Sequence, residues 1–214
     1  MGIEVLLIAT RYDTATYYIH DWAEQLRNDL LSSNAVSSCM MLEGPSLCFS
    51  GQTLTDAIER ANFVVFYGHG EVDHWISMPP GSATSSVRLV EVNSVGDLRG
   101  RQIYAACCHS LKDLGPAFDA AFPKGSNGKP EFVGYSSAFD FSIPQREEFR
   151  RIVHYSVRDF ILGKKDAATI ASEQQAAWQQ LDAAFSKGGM YSTLPDAIFA
   201  ASNARSNALA IGHA

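Results

Sequence analysis

No apolar run in the chain approaches the roughly 18 residues that a membrane helix needs, so no membrane partner is expected. Basic residues are in the minority, 17 Lys and Arg against 23 Asp and Glu. A net charge of −6 offers no positive face to nucleic acid. Cysteine is scarce: Cys39, Cys48, Cys107 and Cys108 include one adjacent pair, but no second pair and no histidine at zinc-ligand spacing. No metal and no other cofactor is therefore expected. The opening Met1-Gly2-Ile3-Glu4 lacks the basic region of a secretion signal, and Leu6 stands where an N-myristoylation motif wants Ser or Thr. Reduced thiols in a cytoplasmic protein are the simplest expectation. Internal repeats, long linkers and charge blocks are also missing, which makes residues 1–214 a single expected domain.

What is present is a rich supply of core residues. Hydrophobic residues make up 46% of the chain, which excludes disorder and suits an α/β core. Short apolar runs alternate with helical patterns. The run 4–9 reads as a first strand and 38–42 as a weakly signalled second; 62–67, 102–106 and 131–136 read as three more. Tyr18, Trp22, Leu26 and Leu30 recur every four residues in a helix over 15–31. Thr53 and Asp56 suggest a near-capping box for a short helix ending at Ala61. Further helices are predicted over 111–122, over 145–162 with Gly163 closing it, and over 167–185. The stretch 73–100 reads as loop-rich, broken by Pro79-Pro80-Gly81 with a small strand at 87–92, and the tail beyond Gly188 gives no clear pattern. Strands that are apolar throughout and alternate with helices imply a mostly parallel sheet covered on both faces.

Two of those strands end in reactive side chains. One runs into Gly68-His69-Gly70-Glu71, the other into Cys107-Cys108-His109-Ser110. Ligands of open α/β sheets bind beyond the carboxyl ends of the strands. A thiol that meets a distant histidine there is the arrangement for nucleophilic acyl transfer. A thiol near its free pKa of about 8.5 is mostly protonated at neutral pH, and an imidazole can take its proton. The competing bland reading is a small core cysteine and a solvated loop histidine. Glycines on either side of His69 allow a sharp turn or a close approach by substrate.

The residues also carry a family resemblance. Phe66-Tyr67-Gly68-His69-Gly70 resembles the Tyr-Ser-Gly-His-Gly histidine motif of metacaspases, and Cys108-His109-Ser110 resembles the middle of their Asp-Ser-Cys-His-Ser-Gly motif. The Ala-Cys-x-Ser-Gly of legumains and CHAT domains, a caspase-like family with separase relatives, is similar. His69 precedes Cys108 by 39 residues, nearer the legumain and CHAT spacing than the roughly 50 of caspases. Leu114 to Phe122, Phe132-Val133-Gly134-Tyr135 with Phe139-Asp140, and the helix with Phe149, Tyr155, Phe160 and Gly163 are similar to later CHAT elements, so the likeness spans about Glu4 to Leu181.

The resemblance implies a caspase-like (caspase–hemoglobinase) α/β sandwich and a cysteine endopeptidase. In it His69 is general base and acid, Cys108 the nucleophile, and the backbone N–H groups of Gly70 and Cys108 the oxyanion hole. The Cys-x-Ser pattern selects Cys108 and the Ala-Cys pattern selects Cys107; motif fit favours Cys108, with Cys107 as the alternative nucleophile. Strand neighbours face opposite ways, so one of the two at most meets His69. His109 is expected to point away. Ala106 replaces the metacaspase Asp before the nucleophile, Leu111 replaces the Gly, and Ser137 the CHAT Trp. Asp140 aligns with the separase-like Asp that contacts a P1 Arg or Lys, and is expected either as a buried carboxylate at a pocket base or as a cap of a turn or of the helix after Pro144. Arg11 is a candidate for binding substrate carboxylates or an ordinary solvated loop residue. Glu71 and Asp73 are candidates for orienting His69, and His74 and Trp75 for a pocket wall or for packing under the loop.

The expected function is thus hydrolysis of peptide bonds after a basic residue in a regulated bacterial effector. Protein or peptide is the substrate, and an activating partner or a cleavage event, acting on 73–100 or 125–130, is the expected control. The alternatives are an inactive caspase-like interaction module and a flavodoxin-like regulator. The regulator would need an acidic cluster after the first strand, where Asp13 stands alone.

Overall fold

The computed structural model describes residues 2–43, 51–78, 86–122 and 130–214. Among the described residues, six strands share one sheet. In chain order they are β1 (Ile3–Ala9), β2 (Val36–Glu43), β3 (Phe63–Tyr67), β7 (Gln102–Ala106), β8 (Phe132–Tyr135) and β9 (Ile211–His213), and their order across the sheet is β2-β1-β3-β7-β8-β9. All neighbours are parallel except β8 and β9. A second sheet of three antiparallel strands, β4 (His69–Gly70), β5 (His74–Ser77) and β6 (Val87–Glu91), leads into a 3-10 segment, Val92–Leu98. The helices among the described residues are α1 (Thr14–Leu31), α2 (Gly51–Arg60), α3 (Leu114–Ala121), α4 (Arg146–Ile161), α5 (Ala167–Phe185) and α6 (Ala197–Ala210).

The expected mostly parallel sheet with helices on both faces is the architecture found. Its strands are apolar throughout because both faces are buried. On one face Val5, Leu7, Val65, Tyr67, Tyr104, Val133 and Tyr135 pack against α1, α4, α5 and α6. On the other, Leu6, Ile8, Val64, Phe66, Ile103 and Phe132 pack against α2, the 3-10 segment and α3. Gln174 of α5, buried on the first face, hydrogen-bonds the hydroxyls of Tyr104 and Tyr135 at 2.7 and 3.1 Å, so those phenols are not left unpaired. Gly163, at φ 64°, closes α4 as expected of a residue just past a helix end.

Several expectations need correction. The stretch 73–100 is not mainly loop: its described residues form β5, β6 and the 3-10 segment, while Pro79 to Gly81 lie outside the described residues. α2 starts at Gly51, so Thr53 sits inside it and cannot be its N-cap. The tail is ordered as α6 and β9. α6 is rich in alanine, with Ala197, Ala200, Ala201, Ala204, Ala208 and Ala210 buried, and small residues on most sides leave no apolar stripe to detect. β9 is too short for a periodicity, and its antiparallel pairing with β8 supplies the sheet's last strand.

Candidate active site

β1, β3 and β7 are adjacent and in register, so their carboxyl ends fall together: Ala9 pairs with Tyr67, and Tyr67 with Ala106. Neighbouring strands are about 4.8 Å apart. His69 and Cys108 each lie two residues beyond the Tyr67–Ala106 pair, so the sheet carries both to one rim. The two strand ends also touch. A Cβ on Gly70 would lie 2.4 Å from the Cys108 carbonyl oxygen and 2.8 Å from the Cys107 sulfur. A Cβ on Gly68 would meet Thr10 Oγ1 at 2.7 Å and the Phe66 ring at 2.6 Å. Neither glycine has positive φ. The expected sharp turn is therefore not the reason for them; close packing of the β1, β3 and β7 ends is.

Alternation along β7 separates the two cysteines. Cys107 joins Ile103 and Ala105 on the α2–α3 face and is 1% exposed; burial drives its thiol far above the ordinary range. Cys108 packs against the opposite core and is only partly buried. Its thiol pKa is also raised, by burial first and by the nearby carboxylates of Asp140 and Glu71. Against this, the Phe139 N–H donates to the sulfur at 3.4 Å, and the N–H of Cys108 itself also favours the thiolate. Just past the sulfur, His109 takes a left-handed φ of 55°, rare for a residue with a side chain, and its buried Nδ1 has no hydrogen-bond partner. Ser110 fixes the turn to β8: its hydroxyl accepts from the Tyr135 N–H at 2.9 Å.

The imidazole of His69 is held by a residue that sequence reasoning had not linked to it. His69 Nε2 lies 2.8 Å from Asp13 Oδ2. Asp13 is the N-cap of α1, and its Oδ1 accepts from the Thr16 N–H and hydroxyl, each at 2.8 Å. Burial pushes the Asp13 carboxyl up, but these bonds and the one from His69 outweigh it and hold the pKa below the ordinary value. With Nε2 donating to a carboxylate, Nδ1 is the nitrogen free to accept a proton. Asp73 and Glu71 do not orient His69. Asp73 bonds His74 Nδ1 at 2.6 Å, and the Glu71 N–H bonds the His74 carbonyl. His74 and Trp75 are buried, and Trp75 stacks on Phe66 with centroids 4.6 Å apart; they pack rather than line a pocket.

Asp140 is exposed, not buried at a pocket base, and it caps nothing at α4, whose N-cap is Gln145. Its backbone is clamped by Asn207 of α6, which accepts from the Asp140 N–H at 3.1 Å and donates to its carbonyl at 2.7 Å. Arg11 is exposed, with its guanidinium 4.4 Å from the centre of the Tyr17 ring. With Tyr12, Asp13, Thr14, Tyr17 and Tyr18 it lines an open cleft of about 420 Å³ beside His69, whose ring centre lies 5.6 Å from that of Tyr12.

The sequence matches no family model and no curated protein sequence. Among solved structures, it is similar to the Arg-specific cysteine proteinase gingipain R, with a TM-score of 0.42, 17% identity, and coverage of 71% of this chain and 36% of that chain. It is also similar to the complex of the pro- and mature domains of RgpB from Porphyromonas gingivalis, with a TM-score of 0.41, 14% identity, and coverage of 71% and 37%. The chain thus spans little more than a third of the length of those chains. No helix among the described residues is long and apolar enough to cross a membrane.

Proposed function

We propose that the chain is a caspase-like cysteine endopeptidase in which His69 and Cys108 form the catalytic dyad. The observation that carries this is the junction of the β3 and β7 ends, with Gly70 seated against Cys107 and Cys108, a thiol that is not fully buried, and an imidazole whose second nitrogen is tied to Asp13. His69 Nδ1 takes the Cys108 proton as the sulfur attacks the scissile carbonyl. The N–H groups of Gly70 and Cys108 hold the oxyanion. The C–N bond breaks, and His69 returns the proton to the leaving amine. Water, deprotonated by His69, then cleaves the thioester to the acid and free thiol. The accessibility of Cys108 and the sealing of Cys107 favour Cys108 as the nucleophile.

Asp140 supports a basic P1 residue from the rim rather than from a pocket base. Its charge and that of Glu71 raise the Cys108 pKa. A Lys or Arg side chain beside them cancels that field, so a basic substrate both binds and eases ionisation of the thiol. Arg11, in the cleft beyond Asp13, suits a carboxylate elsewhere on the peptide. Control by a partner or by cleavage fits the small sheet. His69 itself is in β4, which pairs through β5 with β6, so anything that grips β6 acts on the base.

An inactive interaction module is the second reading. It is favoured by the raised thiol and by the lack, among the described residues, of a hydrogen bond from His69 to Cys108. Labelling with an iodoacetamide probe, paired with cleavage of Arg- and Lys-containing peptides, separates the two. Catalysis requires labelling of Cys108, no cleavage by Cys108→Ala or His69→Ala, and cleavage retained by Cys107→Ala. A wild-type chain that labels no faster than free cysteine and cleaves nothing is the interaction module.

A further inference from the structure

The geometry points to a binding site for a divalent transition-metal ion of the zinc type on α1, formed by His20, Asp21 and Glu24 and backed by Glu43 at the end of β2. One ligand atom from each of the three lies within 4.8 Å of the others. His20 is 1% exposed, and its Nδ1 is buried with no hydrogen-bond partner, 3.9 Å from Asp21 Oδ1. Its Nε2 bonds the Glu43 carboxylate. A carboxylate can only accept, so Nε2 carries the proton and Nδ1 presents a lone pair. An imidazole nitrogen and two carboxylates, all offering lone pairs, therefore lie within 4.8 Å of one another. A buried polar atom left unpaired costs about 1–3 kcal/mol, and native structures rarely leave one without a reason. A cation supplies what all three need.

The second nitrogen makes the same case from outside the cluster. Histidines that ligate metals characteristically donate their other N–H to a carboxylate, which fixes the tautomer and raises the basicity of the ligating nitrogen. Glu43 is that carboxylate here. The donor set, one imidazole and two carboxylates, suits zinc and its first-row neighbours better than the all-oxygen shells of calcium or magnesium. Ligand atoms about 2.0–2.2 Å from an ion lie roughly 3–3.5 Å apart. Asp21 Oδ1 stands 3.9 Å from His20 Nδ1, close to that spacing, and the half-exposed Asp21 and exposed Glu24 side chains are not locked in the core. A search for paired cysteines and histidines misses such a site, since its ligands are i, i+1 and i+4 of one helix with a single His. The site shares a rim with the dyad, because Glu43 pairs with Ala9 of β1 and Ala9 with Tyr67 of β3.

The test uses the whole chain and Co²⁺ alone as the spectroscopic probe, followed by Zn²⁺. One equivalent of Co²⁺ is expected to give weak visible bands with no thiolate-to-metal charge transfer, and Zn²⁺ to shift the His20 imidazole nitrogens in long-range ¹H–¹⁵N spectra. The double variant Asp21→Asn/Glu24→Gln changes only solvent-facing carboxylates, so it should fold normally and bind at least tenfold more weakly, and Glu43→Gln about tenfold more weakly. His20→Asn risks the core, which is why the exposed double variant carries the test. Undiminished affinity in that variant, with thiolate charge transfer, would place the ion on cysteines and overturn the site. A His20 ring protonated on both nitrogens at neutral pH and unmoved by Zn²⁺ would overturn it too, since the ring would then be an imidazolium paired with Glu43.

Discussion

Asp13→Asn separates the two tasks that one carboxylate performs. Oδ1 begins α1 by accepting two bonds from Thr16, while Oδ2 holds the His69 Nε2–H. Asparagine caps a helix about as well as aspartate, so the α1 start survives. The ion pair itself is weak: the His69 and Asp13 side chains are 40% and 43% exposed, and exposed pairs contribute about 0.2–1 kcal/mol. The Asp13 pKa is held below its ordinary 3.8, so this stabilisation is present above that value and is lost as pH falls through the lower folded value. Wild type and Asp13→Asn should therefore differ little in Tm at pH 7 and converge further in acid. Activity should behave differently. An amide presents N–H to Nε2, favouring the tautomer with its proton on Nδ1, which is the wrong one for accepting from Cys108. Inverting a catalytic histidine's tautomer costs about 10²-fold or more in turnover, about 2.7 kcal/mol.

Asp13→Ala is the control. Losing the cap costs about 1 kcal/mol and lowers Tm by about 2–4 °C in a chain of this size. The assays are kcat/KM on Arg- and Lys-containing peptides, the rate of Cys108 alkylation against pH, and Tm. A large loss of kcat/KM in Asp13→Asn with Tm nearly unchanged is expected. Wild-type kcat/KM in Asp13→Asn would refute the coupling of Asp13 to His69. Losses in both variants that merely track Tm would assign Asp13 to the helix start alone.

Two more predictions follow from the rim. Asp140→Asn removes a charge that raises the Cys108 pKa, so alkylation of the free enzyme should reach half its maximal rate at lower pH, while cleavage after Lys or Arg falls about tenfold, or about 1.4 kcal/mol; an unshifted alkylation profile with unchanged P1 preference would remove Asp140 from the site. Gly70→Ala sets a methyl group 2.4 Å from the Cys108 carbonyl oxygen, a backbone atom that cannot swing aside, so urea unfolding should show a loss of about 1–3 kcal/mol and peptide cleavage should fall with it, whereas wild-type stability would show that the β3 and β7 ends do not abut as described.

How much of this could be read from residues alone depends on the range over which each signal acts. β1, β3 and β7 announce themselves because burial on both faces demands apolar side chains at nearly every position. Their common rim follows from the rule that ligands sit beyond strand ends, and so His69 and Cys108 could be named together. α6 and β9 could not be foreseen, because alanine fits helix and core alike and three residues carry no period. The exposure of Asp140 was hidden for a related reason: what fixes its backbone is Asn207, a polar residue buried inside that unforeseen helix.

Asp13 marks a different boundary. Its local role was available from sequence, since an aspartate three residues before a threonine at the head of an apolar stripe is a ready N-cap. Its second role depends on strand order. Only because β1 lies between β2 and β3 does the loop after Ala9 stand beside the loop after Tyr67, and only then does a residue 56 positions from His69 reach its ring. With β1 next to β3, the same geometry that brings the ends of β3 and β7 to one rim sets the α1 cap against the imidazole. The consequence is mechanical as well as chemical. The start of α1 and the orientation of His69 share one carboxylate, so a change that frays the first turn of the helix also loosens the imidazole.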